Sequence, residues 1–87
     1  DLGAALARLG DRVQRLGAVP RGGKSPDALD LTQPTAFVLG HETRGLPAGI
    51  DFDGLVTVPM AGGESLNVAM AATALLFDAA RQRRHGR

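Results

Sequence analysis

An α/β fold, built as a parallel sheet with flanking helices, is predicted by three features of this 87-residue chain. Thr35 to Leu39, between Pro34 and Gly40, and Leu55 to Val58, between Gly54 and Pro59, are short and almost continuously apolar. Such runs suit strands covered on both faces of a parallel sheet better than half-exposed hairpin strands, which alternate polar and apolar residues. Each run is followed by a polar, glycine-bearing loop, and the second loop opens a helix at Ser65, Leu66 and Asn67. Loops that leave buried strands and enter helix N-termini are the usual ligand sites of α/β proteins.

The remaining elements can be justified in chain order. Leu2, Ala5, Leu6 and Leu9 recur at helical spacing behind Asp1, a capping residue type, and Gly10 is placed to end that helix. Val13 to Val19 has no clean period, but Pro20 closes it and a strand is expected there. Arg21 to Lys24 reads as a loop. Ser25, Pro26 and Asp27 combine a cap, a proline at the first helical position and an acid in the first turn, so one helical turn is expected through Leu29. The last helix is expected from Leu66 to Arg83, with Ser65 as its cap. Its middle is apolar on nearly every side, which predicts an enclosed helix. Small residues at Ala69, Ala71, Ala72 and Ala74 permit close backbone approach. No repeat or linker divides the chain, so residues 1–87 are read as one unit.

A chain of this length buries only about 60 to 65% of the surface its unfolded form exposes. The net charge of +1 creates no strong field, so overall charge does not argue for nucleic-acid binding. Arg81, Arg83, Arg84 and Arg87 cluster at the C-terminal end, where a solvated basic helix end and an RNA contact are both open readings. Cysteine is absent, which excludes disulfides and thiolate metal sites and makes the cytoplasm the expected compartment. The apolar run Val68 to Phe77 is far shorter than the roughly 20 residues that span a bilayer. The sequence begins at Asp1 without an initiator methionine or signal pattern, and a processed protein or an excised fragment is expected.

Chemistry is expected in the two loops. In Gly40 to Leu46 the two glycines free the backbone for tight turns, and Glu42 is the only acid. Glu42 could accept bonds from loop amides or Arg44 or orient a substrate hydroxyl; an ordinary exposed carboxylate is the competing reading. His41 has no partner at ligand or general-base spacing, and His85 stands near a fraying terminus. Pro59 to Glu64 contains Gly62 and Gly63 and delivers the chain to a helix N-terminus, whose free amides can bind polar ligand atoms. Its glycine and lysine spacing fits neither a dinucleotide fingerprint nor a P-loop. Ser65 lacks a nucleophile elbow and a histidine partner, so a capping role competes with any role in chemistry. Asn67, the only asparagine, could bridge ligand and loop through its amide or simply favour the helix start.

Together, FVLGHETRGLP and VPMAGGESLNVAMA resemble the second and third motifs of the SpoU, or TrmH-like, RNA ribose 2'-O-methyltransferases of the SPOUT superfamily. The spacing between the motifs also fits, and the likeness runs from about Val13 to Arg83. The resemblance implies S-adenosylmethionine (AdoMet) as cofactor, bound in a trefoil knot, with tRNA or rRNA as partner. It also implies a homodimer whose active site lies near the subunit interface, with no metal and no membrane. It implies that backbone groups around Leu39, Gly40, Val58, Met60 and Leu66 hold the adenosine, and that Glu42, Ser65 and Asn67 shape the catalytic pocket. His41 falls at a variable position.

The family's first motif, an Asn-x-Gly stretch followed by an arginine, helps activate the ribose hydroxyl and has no counterpart before Phe37. The expectation is therefore the C-terminal part of a SPOUT domain, inactive by itself. A non-catalytic cofactor-binding or dimerisation module and a generic nucleotide-binding α/β domain are the alternative readings.

Overall fold

The computed structural model describes residues 1–40, 44–59 and 67–86. In chain order these form α1 (Leu2–Ala7), β1 (Gln14–Ala18), a 3-10 turn (Pro26–Ala28), β2 (Thr35–Leu39), β3 (Gly54–Val56) and α2 (Val68–His85). The three strands make one sheet in the order β2-β1-β3, and both pairings are parallel. Ala18, at the end of the central strand, stands opposite both Leu39 and Val56, so all three strands end level.

The core lies on one face of the sheet, and the other face is covered in part, with Leu55 left 41% exposed. On one face Leu16 and Val56 join Leu31, Leu75 and Ala79 in the core, with Ala18, Leu29, Phe37 and Val58 packed against it. Burying each such leucine or valine side chain contributes about 1.5–3 kcal/mol. On the opposite face, a Cβ added at Gly17 would lie 2.6 Å from Leu46 Cδ1 and 3.4 Å from Phe52 Cδ1. The chain following the first glycine loop thus crosses over the central strand, packed closely on Gly17.

α1 begins as expected, with the Asp1 carboxylate accepting from the Ala4 amide at 2.7 Å. Its other end is closed by Arg15, whose guanidinium donates to the carbonyls of Leu6 (2.7 Å), Gly10 (2.9 Å) and Val13 (2.9 Å). Arg15 thereby ties the end of α1 to the chain that leads into β1. The turn after Ser25 is 3-10 rather than α, and the Ser25 side chain makes no capping bond. The chain turns extended at Leu29, so the turn never lengthens into an α-helix. β3 begins one residue earlier than expected and stops at Val56. The Thr57 amide leaves the sheet to donate to the Lys24 carbonyl at 2.9 Å.

α2 departs from expectation at both ends. Asn67, not Ser65, is its cap: extended at ψ 168°, Asn67 accepts from the Met70 amide through Oδ1 at 2.9 Å. The helix runs past Arg83 to a left-handed Gly86, with Arg83, Arg84 and His85 in the last turn, where cations favour the helix dipole. α2 is also not enclosed within this chain. Leu75, Ala79 and Gln82 are buried, whereas Met70 is 52%, Leu76 63% and Phe77 66% exposed, because the sheet covers only one side of the helix.

Gln82 fixes the position of α2. Wholly buried, it accepts from the Leu31 amide at 2.9 Å and donates to the Pro26 carbonyl and the Asp78 carboxylate, each at 3.1 Å. Arg83 adds bonds to the carbonyls of Leu31 (3.2 Å) and Gln33 (3.3 Å). A buried amide satisfied in this way ties the helix to the segment that leads into β2. Among the described residues no helix is long and apolar enough to cross a membrane.

Candidate functional site

The level strand ends gather three loops on one edge of the sheet. One leaves β2 through Leu39 and Gly40, one follows β3 through Thr57, Val58 and Pro59, and one leaves β1 through Pro20 to Lys24. This is the carboxyl edge, where open parallel sheets bind ligands.

Of the expected cofactor residues, Leu39, Gly40 and Val58 lie on this edge, flanking the end of β1. Leu39 and Val58 are half-buried, and Val58 packs against the core. Gly40 has a structural reason to be glycine: a Cβ there would sit 2.5 Å from the Gly45 carbonyl carbon, 2.6 Å from its oxygen and 2.9 Å from the Leu46 amide. The two arms of the loop touch backbone to backbone, and Gly45 itself adopts a φ of 71°. Only a residue without a side chain permits this approach.

Asn67, expected in the catalytic pocket, is exposed at the start of α2. Its Oδ1 is engaged by the Met70 amide, and its carbonyl accepts from the Ala71 amide at 2.8 Å. The side-chain group left to meet a ligand is therefore Nδ2, a donor. Glu42, Met60, Ser65 and Leu66, and His41 with them, lie outside the described residues.

Beside this edge is a cavity of about 710 Å³ between the 3-10 turn, the residues after β3 and the first turns of α2. Its walls include Pro26, Val58, Pro59, Met70, Ala74 and Phe77. Its size is that of a small-molecule pocket, and its apolar wall suits a ring rather than a phosphate. Asp78, at its margin, is neutralised by Arg81 at 2.8 Å and bonded to Gln82. Among the described residues no group of three His, Cys, Asp or Glu could hold a metal ion.

Sequence reasoning passed over the β1 loop. Gly22 adopts a φ of 85°, and a Cβ at Gly23 would lie 2.7 Å from the Val56 carbonyl carbon. The Thr57 hydroxyl accepts from the Gly23 amide and donates to the Val19 carbonyl, both at 2.9 Å. Lys24 pairs with the outer edge of β3, so the loop straddles that strand's tip. Two adjacent glycines after a strand were the available signal.

Comparison with known proteins agrees with this geometry. The chain is 51% identical over 61 residues to the 23S rRNA (uridine(2479)-2'-O)-methyltransferase of Streptomyces viridochromogenes, covering 67% of this chain and 21% of that one. It is 43% identical over 75 residues to an uncharacterized tRNA/rRNA methyltransferase of Mycolicibacterium smegmatis, covering 83% of this chain and 24% of the relative. Among solved structures, the SpoU methyltransferase AviRb from Streptomyces viridochromogenes, in complex with AdoMet, matches with a TM-score of 0.78 and 39% identity. That match covers 94% of this chain and 34% of the AviRb chain. The chain thus spans between a fifth and about a third of the length of these relatives. The family model described as the SpoU rRNA Methylase family matches residues 1–77, and the chain belongs to that family.

Proposed function

We propose that this chain is the AdoMet-binding, C-terminal part of a SPOUT domain that methylates a ribose 2'-hydroxyl of tRNA or rRNA. The observation that carries the reading is the superposition on AviRb, a methyltransferase solved with AdoMet, over 94% of this chain at 39% identity. The residues present fit the cofactor. Half-buried Leu39 and Val58 offer apolar surface for the adenine, and Gly40 brings main-chain groups to the same edge. Met60 and Leu66 complete the proposed cofactor contacts, and Glu42, Ser65 and Asn67 the catalytic pocket.

AdoMet supplies an electrophilic methyl group when bound. The task of the protein is to present a ribose hydroxyl in line with that methyl and to assist loss of the hydroxyl's proton. Asn67 Nδ2 can donate to the ribose or to the cofactor carboxylate while Oδ1 remains on Met70. Glu42 accepts bonds that orient the loop or the substrate hydroxyl, and Ser65 adds a polar contact beside the helix start. The proton acceptor, or the arginine that assists it, comes from the family's first motif, which places it in the N-terminal part of the domain. The whole site sits in the family's knot, in a cytoplasmic homodimer. The exposed Met70, Leu76 and Phe77 support a dimer, since large apolar side chains left uncovered along one helix favour association. The same face favours a second reading, a dimerisation module that holds AdoMet without catalysis.

Incubation of the intact protein with methyl-labelled AdoMet and unmodified bacterial tRNA and rRNA is expected to place label on a ribose, seen as an alkali-resistant dinucleotide. Label on a base would overturn the 2'-hydroxyl reading. Cofactor binding without any transfer would favour the non-catalytic module.

A further inference from the structure

We infer that the β1 loop, Pro20 to Lys24, is a phosphate-contacting element that grips the RNA backbone beside the methylation site. The inference rests on the RNA reading above and deepens it. Three observations converge. The loop lies on the same carboxyl edge as Leu39, Gly40 and Val58, because Ala18 is level with both Leu39 and Val56. It carries two exposed cations, Arg21 and Lys24, while Arg44 is exposed on the neighbouring loop. The described acids of the β2–β3 connection, Asp51 and Asp53, lie at its far end where it enters β3, and Asp53 accepts there from the Arg15 amide at 2.7 Å.

The third observation is rigidity. Thr57 bonds the loop at Gly23 and Val19, the Lys24 amide donates to the Leu55 carbonyl at 2.9 Å, and the Thr57 amide returns to the Lys24 carbonyl. Gly23 is held so close to β3 that a side chain cannot enter. A loop fixed this firmly presents its cations with little ordering cost on binding, which favours a defined contact over a diffuse one. An anionic, extended partner such as a ribose-phosphate chain fits two cations on one rigid loop. A compact apolar ligand does not.

The test is Arg21→Gln/Lys24→Gln in the intact protein, with a fluorescein-labelled 20-nucleotide oligouridylate as probe across a series of salt concentrations. Each lost phosphate contact on a single strand lowers the slope of log K against log salt by about 0.7, so a fall of about 1.4 is expected. Affinity at roughly 0.1 M salt is expected to drop about 10-fold, with calorimetric AdoMet affinity unchanged within about two-fold and near-wild-type binding in Arg21→Lys/Lys24→Arg. An unchanged slope and affinity would overturn the inference, as would loss of AdoMet binding with RNA binding intact, which assigns the loop to the cofactor. Wild-type protein that binds AdoMet but not the oligonucleotide overturns the inference alone. Wild-type protein that binds neither removes the proposed function with it.

Discussion

Gly40→Ala is expected to destabilise the fold by about 3 kcal/mol, the upper end of what overpacking costs, and to weaken AdoMet binding at least about 10-fold. The added Cβ would meet Gly45 backbone atoms at 2.5 and 2.6 Å and the Leu46 amide at 2.9 Å. None of these is the far end of a flexible side chain. Relief therefore requires the two arms of the loop to separate, and Leu46 is not free to follow, since it packs on the central strand over Gly17. The damage thus passes from the loop to the sheet, and the main-chain groups proposed to face the adenine move with it. Chemical denaturation and calorimetry check the two effects separately. Wild-type stability and wild-type affinity together would mean that the loop opens without cost and that its closeness has no function.

The second large effect is expected at Asn67. Asn67→Ala removes both roles of the side chain: the cap, at about 1 kcal/mol of stability, and the donor. Asn67→Asp keeps an oxygen for the Met70 amide and places a negative charge at a helix N-terminus, where it is tolerated, yet it has no Nδ2. Both variants are expected to lose about 100-fold or more in kcat for methyl transfer, in line with removal of one preorganised donor, while only Asn67→Ala melts earlier. Wild-type turnover in Asn67→Asp would reduce Asn67 to a cap.

These two residues also show how much of the protein was legible in its sequence. The strand Thr35–Leu39 was recoverable to the residue because Pro34 and Gly40 bracket an apolar run. The parallel arrangement followed from the absence of alternation in that run. The cap of α2 was misread because serine and asparagine stand two residues apart and either can cap; which oxygen reaches an amide depends on backbone angles, not residue type. The exposure of Leu76 and Phe77 was hidden for a different reason. An all-round apolar helix is enclosed only when something covers every side, and this chain supplies one sheet. Nothing in the sequence singles out Gln82, whose three partners, at Leu31, Pro26 and Asp78, are set by tertiary structure.

The candidate site was legible in part. Gly40 and Val58, which the family resemblance singled out, lie on the edge of the sheet, and the structure gives Gly40 a packing reason of its own in Gly45. The β1 loop was overlooked because Arg21 to Lys24 has no motif. What brings it to the edge is the register of Ala18 with its two neighbours and the two bonds made by the Thr57 hydroxyl.

The central claim is that this edge of the sheet holds AdoMet. Calorimetric titration of the intact protein with AdoMet, NAD and ATP tests it most directly. The account predicts saturable binding of AdoMet, weakened by Gly40→Ala, with no comparable affinity for NAD or ATP. Preference for NAD or ATP over AdoMet would contradict it.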